Sequence, residues 1–63
     1  MKLSKWEDKP LSTLIIKIGE EYGEACEAYI RLTEVSNPDS GALEEELTHV
    51  RDLANLTIER LRK

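Results

Sequence analysis

The sequence holds one cysteine, Cys26, so no disulfide can close within the chain, and no Cys-x-x-Cys motif is present to suggest a redox site. It has no apolar run approaching the roughly 18 residues of a membrane span, and the stretch from Met1 to Lys9 lacks the apolar segment of a secretory signal. A cytoplasmic protein with no membrane partner is therefore expected. The Asn55-Leu56-Thr57 sequon carries no weight in that compartment. Positive charge is also short: 9 Lys+Arg face 13 Asp+Glu, a formal net charge of −4, so no nucleic-acid partner is expected. Internal repeats, low-complexity tracts, linkers and the period-2 alternation of strands are all missing.

What remains is a helical pattern in 63 residues, one small domain. A chain of this length buries only about 60% of the surface it exposes when unfolded. With disulfides excluded, self-association is the expected source of the missing stability. From Leu11 the apolar residues fall at Leu11, Ile15, Ile18, Tyr22, Ala25, Tyr29 and Leu32, with gaps alternating four and three. This is the seam of one long helix, expected over residues 10–35. Pro10 suits a first helical turn and Asp8 is placed to complement it, whereas Gly19 and Gly23, one turn apart, suggest close packing at that point. Ser36-Asn37-Pro38-Asp39-Ser40-Gly41 reads as a reversal over residues 36–41.

A second helix is expected over residues 42–62, with a stripe of Leu43, Leu47, Val50, Ala54, Ile58 and Leu61 widened by Leu53 and Leu56. Glu44, Glu45 and Glu46 near its start and Arg60, Arg62 and Lys63 at its end complement the helix dipole. The fold class is all-α, an antiparallel two-helix hairpin. One hairpin cannot cover both apolar stripes, so a homodimer or homotetramer building a four-helix bundle is expected.

The chemistry-bearing residues lie on facing stretches of the two helices. Glu20, Glu21, Glu24 and Glu27 crowd one stretch of the first, and Glu21 with Glu24 share a helix surface at the flank of the seam, where a carboxylate is half solvated. On the second, Glu45, Glu46, His49 and Asp52 recur at three- and four-residue steps, and Glu46 with His49 repeats the spacing of Glu21 with Glu24. Facing pairs of this kind present ligands for Mg²⁺ or Mn²⁺. Each residue also has a plainer reading. Isolated glutamates are commonest as a solvated face, His49 can pair with Asp52, Cys26 reads as a small buried hydrophobe, and Tyr22 and Tyr29 read as core.

The words Glu20-Glu21-Tyr22-Gly23-Glu24 and Glu45-Glu46-Leu47-Thr48-His49-Val50, with Lys5-Trp6 ahead of the first helix and Ile18-Gly19 leading into it, resemble the MazG-like, all-α nucleoside-triphosphate pyrophosphohydrolases, in particular short phage and prophage members. The resemblance spans about Lys5 to Leu61. It implies hydrolysis of a nucleoside triphosphate to the monophosphate and pyrophosphate, with Mg²⁺ as cofactor and Mn²⁺ as a substitute. It places Glu21, Glu24 and Glu46 as metal ligands, with His49 at the position where the family has an aspartate. Imidazole suits Mn²⁺ or Zn²⁺ better than Mg²⁺.

Lys17, one turn before Glu21, is within reach of a phosphate, and Trp6 is available to stack on a base. The family also carries a helix before the glutamate-rich one, where this chain has only Met1 to Lys9. The pocket wall that helix supplies would be lost or come from a second subunit. Two non-enzymatic classes stand beside this reading. One is a helical oligomerisation or protein-interaction module that inherited the fold. The other is an acidic DNA mimic, which a charge of −4 interrupted by 9 basic residues recommends least.

Overall fold

A computed structural model describes residues 3–34 and 40–63 of the chain. A 3₁₀ turn, Leu3–Lys5, leads to helix α1, Leu11–Glu34, and helix α2, Gly41–Leu61. Of the expected reversal, residues 36–39 lie outside the described residues, whereas Ser40 and Gly41 begin α2.

Local chemistry sets the helix ends. Pro10 stands just before α1, and its carbonyl accepts the N–H groups of Thr13 at 3.0 Å and Leu14 at 3.2 Å, so the proline opens the helix without losing a ladder bond. Ser40 caps α2 through its backbone, its carbonyl accepting the Glu44 N–H at 2.9 Å, with no side-chain capping bond. Glu44 in the first turn and Arg60 in the last complement the α2 dipole.

The helices pack against each other as an antiparallel hairpin: Arg60 meets Lys9, His49 meets Glu21, and Leu43 shares a groove with Tyr29, each step back along α2 matching a step forward along the N-terminal half. The molecule measures 46 × 17 × 16 Å. Its core is thin. Among the described residues, Leu14, Ala25 and Leu53 are the buried apolar side chains, joined by two buried polar ones, Glu21 and Thr57. Thr57 is satisfied within α2, its hydroxyl donating to the Leu53 carbonyl at 2.7 Å.

The line of α1 that faces α2 is thus Leu14, Glu21 and Ala25, with Lys17 and Ala28 beside it. The expected seam lies one step around the helix from it. Its Ala25 is inside, but Leu11, Ile15, Tyr22 and Tyr29 remain exposed, the tyrosines at 59% and 56%. The reading of Tyr22 and Tyr29 as core therefore does not hold within one hairpin, nor does that of Cys26 as a buried hydrophobe, since it too is exposed. Gly19 and Gly23 make no close approach either: a Cβ at either one meets nothing within 4 Å.

On α2, Leu47, Ile58 and Leu61 are likewise exposed. With about 100° of rotation per residue in each helix, this row and the α1 row fall on the same side of an antiparallel pair. Tyr22, Cys26, Tyr29, Leu43 and Leu47 meet there in one groove. Lys17, Glu24, Glu45 and Asp52 occupy the other side, so the hairpin has an apolar face and a charged face.

With so small a core, a single truncation is costly. Leu53→Ala should destabilise by about 2–5 kcal/mol and abolish the cooperative melt followed by circular dichroism, whereas Ile16→Ala, at a position 64% exposed, should shift stability by no more than about 0.5 kcal/mol.

Candidate metal centre

Glu21 is the deepest ionisable group among the described residues, 4% exposed where its position on the seam flank implied half solvation. An unpaired carboxylate there would be prohibitively costly, and both of its oxygens have partners. Lys17 Nζ, one turn earlier, stands 3.2 Å from Oε1. From α2, His49 Nδ1 stands 3.3 Å from Oε2 and donates to it in the tautomer that carries its proton there. The sequence puts Lys17 and Glu21 four residues apart on α1, and the hairpin register brings His49 opposite.

Glu46, one turn before His49, completes the group. Its Oε2 lies 3.7 Å from His49 Nδ1 and is buried without a hydrogen-bond partner. One ligand atom each from Glu21, Glu46 and His49 falls within 4.8 Å of the other two. Glu24 joins at the margin, within hydrogen-bonding influence of both Glu21 and Glu46. On the solvent side His49 Nε2 stands 3.9 Å from Glu45 Oε1. Of the four residues expected to face one another across the hairpin, Glu21, Glu46 and His49 converge, whereas Glu24 stands exposed beside them and outside that group. Asp52 pairs with Arg51 at 3.0 Å.

The electrostatics separate the two buried carboxyls. Burial pushes Glu21 upward and is the largest single influence on it, but hydrogen bonds with Lys17, Glu46, His49 and Glu24 together outweigh burial and hold it below the usual carboxyl range. Burial, hydrogen bonding to Glu21 and Glu24, and the negative charges of both push Glu46 up to about 6. The pair titrates as a unit in which Glu46 keeps the proton and Glu21 the charge. Lys17 is raised, chiefly by its hydrogen bond to Glu21.

The donor set suits a divalent cation. It offers carboxylate oxygens and an imidazole from two helices, one of the oxygens buried and unbonded, with negative charge that Lys17 only partly offsets. Glu21, Glu46 and His49 would hold the ion, with Glu24 alongside.

Lys17 also carries the other expected substrate contact. Its ammonium lies over the Trp6 ring, 5.3 Å from the centroid, in a cation–π contact. Sequence reading missed what holds Trp6 there. Arg60, near the end of α2, donates one guanidinium N–H to the Lys9 carbonyl at 2.8 Å and another to the Glu7 carbonyl, strapping the N-terminal segment onto the hairpin. No family model, curated protein or solved structure matches the chain.

Two predictions follow from the geometry. Because folded Glu46 titrates near 6 against an ordinary 4.5, the folded state binds more protons across that interval, and the stability this contributes is lost as pH rises through it. Glu21 acts in the opposite sense below about 4.5, its contribution lost as pH falls. Melting temperatures of the metal-free protein should therefore decline from about pH 4.5 to 6, and Glu46→Gln should flatten that decline. Separately, Arg60→Gln should release the N-terminal strap and shift the emission of Trp6, the chain's one tryptophan, toward that of a solvated indole, with α-helical circular dichroism retained.

Proposed function

We propose that the chain is a Mg²⁺-dependent nucleoside-triphosphate pyrophosphohydrolase of the MazG-like type, Mn²⁺ substituting, acting in the cytoplasm as a homo-oligomeric four-helix bundle. The observation that carries this reading is the convergence of Glu21, Glu46 and His49 within 4.8 Å across the hairpin, with the buried Glu46 oxygen unbonded. The substrate chemistry comes from the resemblance in the two glutamate words. In the reaction, water attacks a phosphorus of the α–β anhydride and that P–O bond breaks, giving nucleoside monophosphate and pyrophosphate. A bound cation would supply charge neutralisation for the phosphates and acidify the attacking water.

The chain's own residues have complementary tasks. Glu46 would give up its proton to hold the ion beside the already charged Glu21. Lys17, beside the carboxylates, is placed to turn from Glu21 to a phosphate oxygen. Trp6 then exchanges the Lys17 cation on its ring face for a base.

A second reading rests on a specific observation. Both oxygens of Glu21 are already paired, with Lys17 at 3.2 Å and His49 at 3.3 Å, as in a polar bridge that fixes helix register in a non-catalytic interaction module.

Pyrophosphate release from a panel of standard and modified nucleoside triphosphates, with Mg²⁺ or Mn²⁺, separates the two. The enzyme reading predicts metal-dependent turnover that Glu24→Gln lowers by roughly 10- to 100-fold or more. It also predicts a cation-induced rise in melting temperature of about 4–8 °C per kcal/mol of binding in a domain this small. Absence of turnover and of any metal-induced rise at neutral pH, with the oligomer unchanged, would contradict the enzyme reading and favour the interaction module.

A further inference from the structure

The sequence places Lys17 three residues before Glu20 and four before Glu21, so one ammonium reaches both carboxylates from the preceding turn. Its Nζ stands 3.2 Å from Glu21 Oε1 and 3.5 Å from Glu20 Oε2, and lies over the Trp6 ring, 5.3 Å from the centroid. The two carboxylates differ in depth: the side chain of Glu21 is 5% exposed and that of Glu20 is 60% exposed. We infer that Lys17 is the internal competitor of the divalent cation: its ammonium neutralises Glu21 until a cation arrives, and the cation displaces it outward to Glu20. The inference rests on the cation site proposed above and names what regulates its loading.

Three observations support exchange over a fixed bridge. The first is charge. Glu21 Oε2 faces His49 and Oε1 faces Lys17, so a divalent ion held among Glu21, Glu46 and His49 comes to a carboxylate that already carries an ammonium. Two cations on one half-dehydrated carboxylate repel each other. The divalent ion adds Glu46 and His49 as ligands, where the ammonium pairs with Glu20 and Glu21.

The second is a destination. Glu20 stands within reach of the same ammonium on the solvent side, so the displaced charge keeps a carboxylate partner and returns to water. The four-carbon stem of lysine swings between the two by rotation about its own bonds, without moving α1. The third is helix order. A lysine four residues ahead of a glutamate is the weaker arrangement on an isolated helix, so this pair owes its place to the depth of Glu21 rather than to α1 itself. A partner kept by depth yields to one of higher charge.

Loading is thus ordered. The cation enters first, the ammonium moves to the open side of the site, and only then is it available to the phosphates of a nucleotide. A nucleotide arriving at the metal-free protein finds Lys17 engaged with Glu21.

Competition is read from cation affinity and from the position of Lys17, with no nucleotide present. Calorimetric titration of Mn²⁺ at neutral pH should show roughly 10-fold tighter binding to Lys17→Met than to the native chain, the equivalent of one hydrogen bond to a charged group. Arg31→Gln removes the same unit of charge from an exposed pair with Glu27. It lies about 15 Å along α1 from Glu21, beyond the ~8 Å Debye length at physiological salt, and should leave the affinity within about twofold of native. If Lys17→Met does not fold, the native protein decides by proton NMR. The ammonium end of Lys17 lies over the Trp6 ring face, so the ring current shifts its ε-methylene resonance, and saturating Mg²⁺ should return that resonance toward those of the other lysines. Equal or weaker Mn²⁺ binding by Lys17→Met, or a Lys17 resonance unmoved by saturating Mg²⁺, would overturn the inference. Absence of cation binding to both proteins overturns it together with the site, whereas tighter binding without pyrophosphate release rejects the hydrolase alone.

Discussion

The structure depends on a carboxylate placed between two helices. Glu21 occupies a position that a core leucine would fill in an ordinary hairpin, flanked along α1 by Leu14 and Ala25 and facing His49. A charge so deep is tolerated only with partners on both oxygens, and those partners come from different elements: Lys17 from the preceding turn, His49 from across the interface. That requirement sets the register of α2 against α1, because sliding α2 by one turn would remove His49 and leave Glu21 half paired. The same requirement assembles the site, since the register that seats His49 also brings Glu46 in and strands its oxygen.

The polar bridge and the thin core are two sides of one economy. A hairpin that gives part of its interface to Glu21, Lys17, Glu46 and His49 has little room for leucine, and its remaining apolar side chains are displaced onto the outer face. Charged and apolar surfaces are therefore segregated by the rotation of each helix onto opposite sides of the same 17 Å-wide body. The N-terminal segment belongs to the charged side. It reaches the site through Trp6 over Lys17, held by an arginine at the far end of the sequence.

Much of this was legible beforehand. Two helices, their approximate ends and the approach of the Glu21–Glu24 stretch to Glu46 and His49 follow from periodicity, Pro10 and the turn formers, because local propensity and spacing act over a few residues. The face that α1 turns inward was not. The row through Leu11, Ile15, Tyr22 and Tyr29 is the more apolar, and a reading by hydrophobicity puts it inside; the hairpin instead buries the neighbouring row, whose Glu21 finds both its partners there. Arg60 was unreadable for a different reason. It bonds backbone carbonyls 51 and 53 residues away, and a carbonyl acceptor leaves no trace in residue type.

The central claim is that Glu21, Glu46 and His49 form a cation site and not merely a structural bridge. His49 is the one histidine in the chain, so its ring protons are an unambiguous reporter, and Mn²⁺ broadens the signals of nuclei near it. Titration of Mn²⁺ at neutral pH should broaden the His49 ring signals well before those of Tyr29 on the apolar face, and Glu46→Gln should remove that selectivity. Broadening of His49 that merely keeps pace with Tyr29, unchanged in Glu46→Gln, would contradict the account and leave the cluster as a bridge between helices.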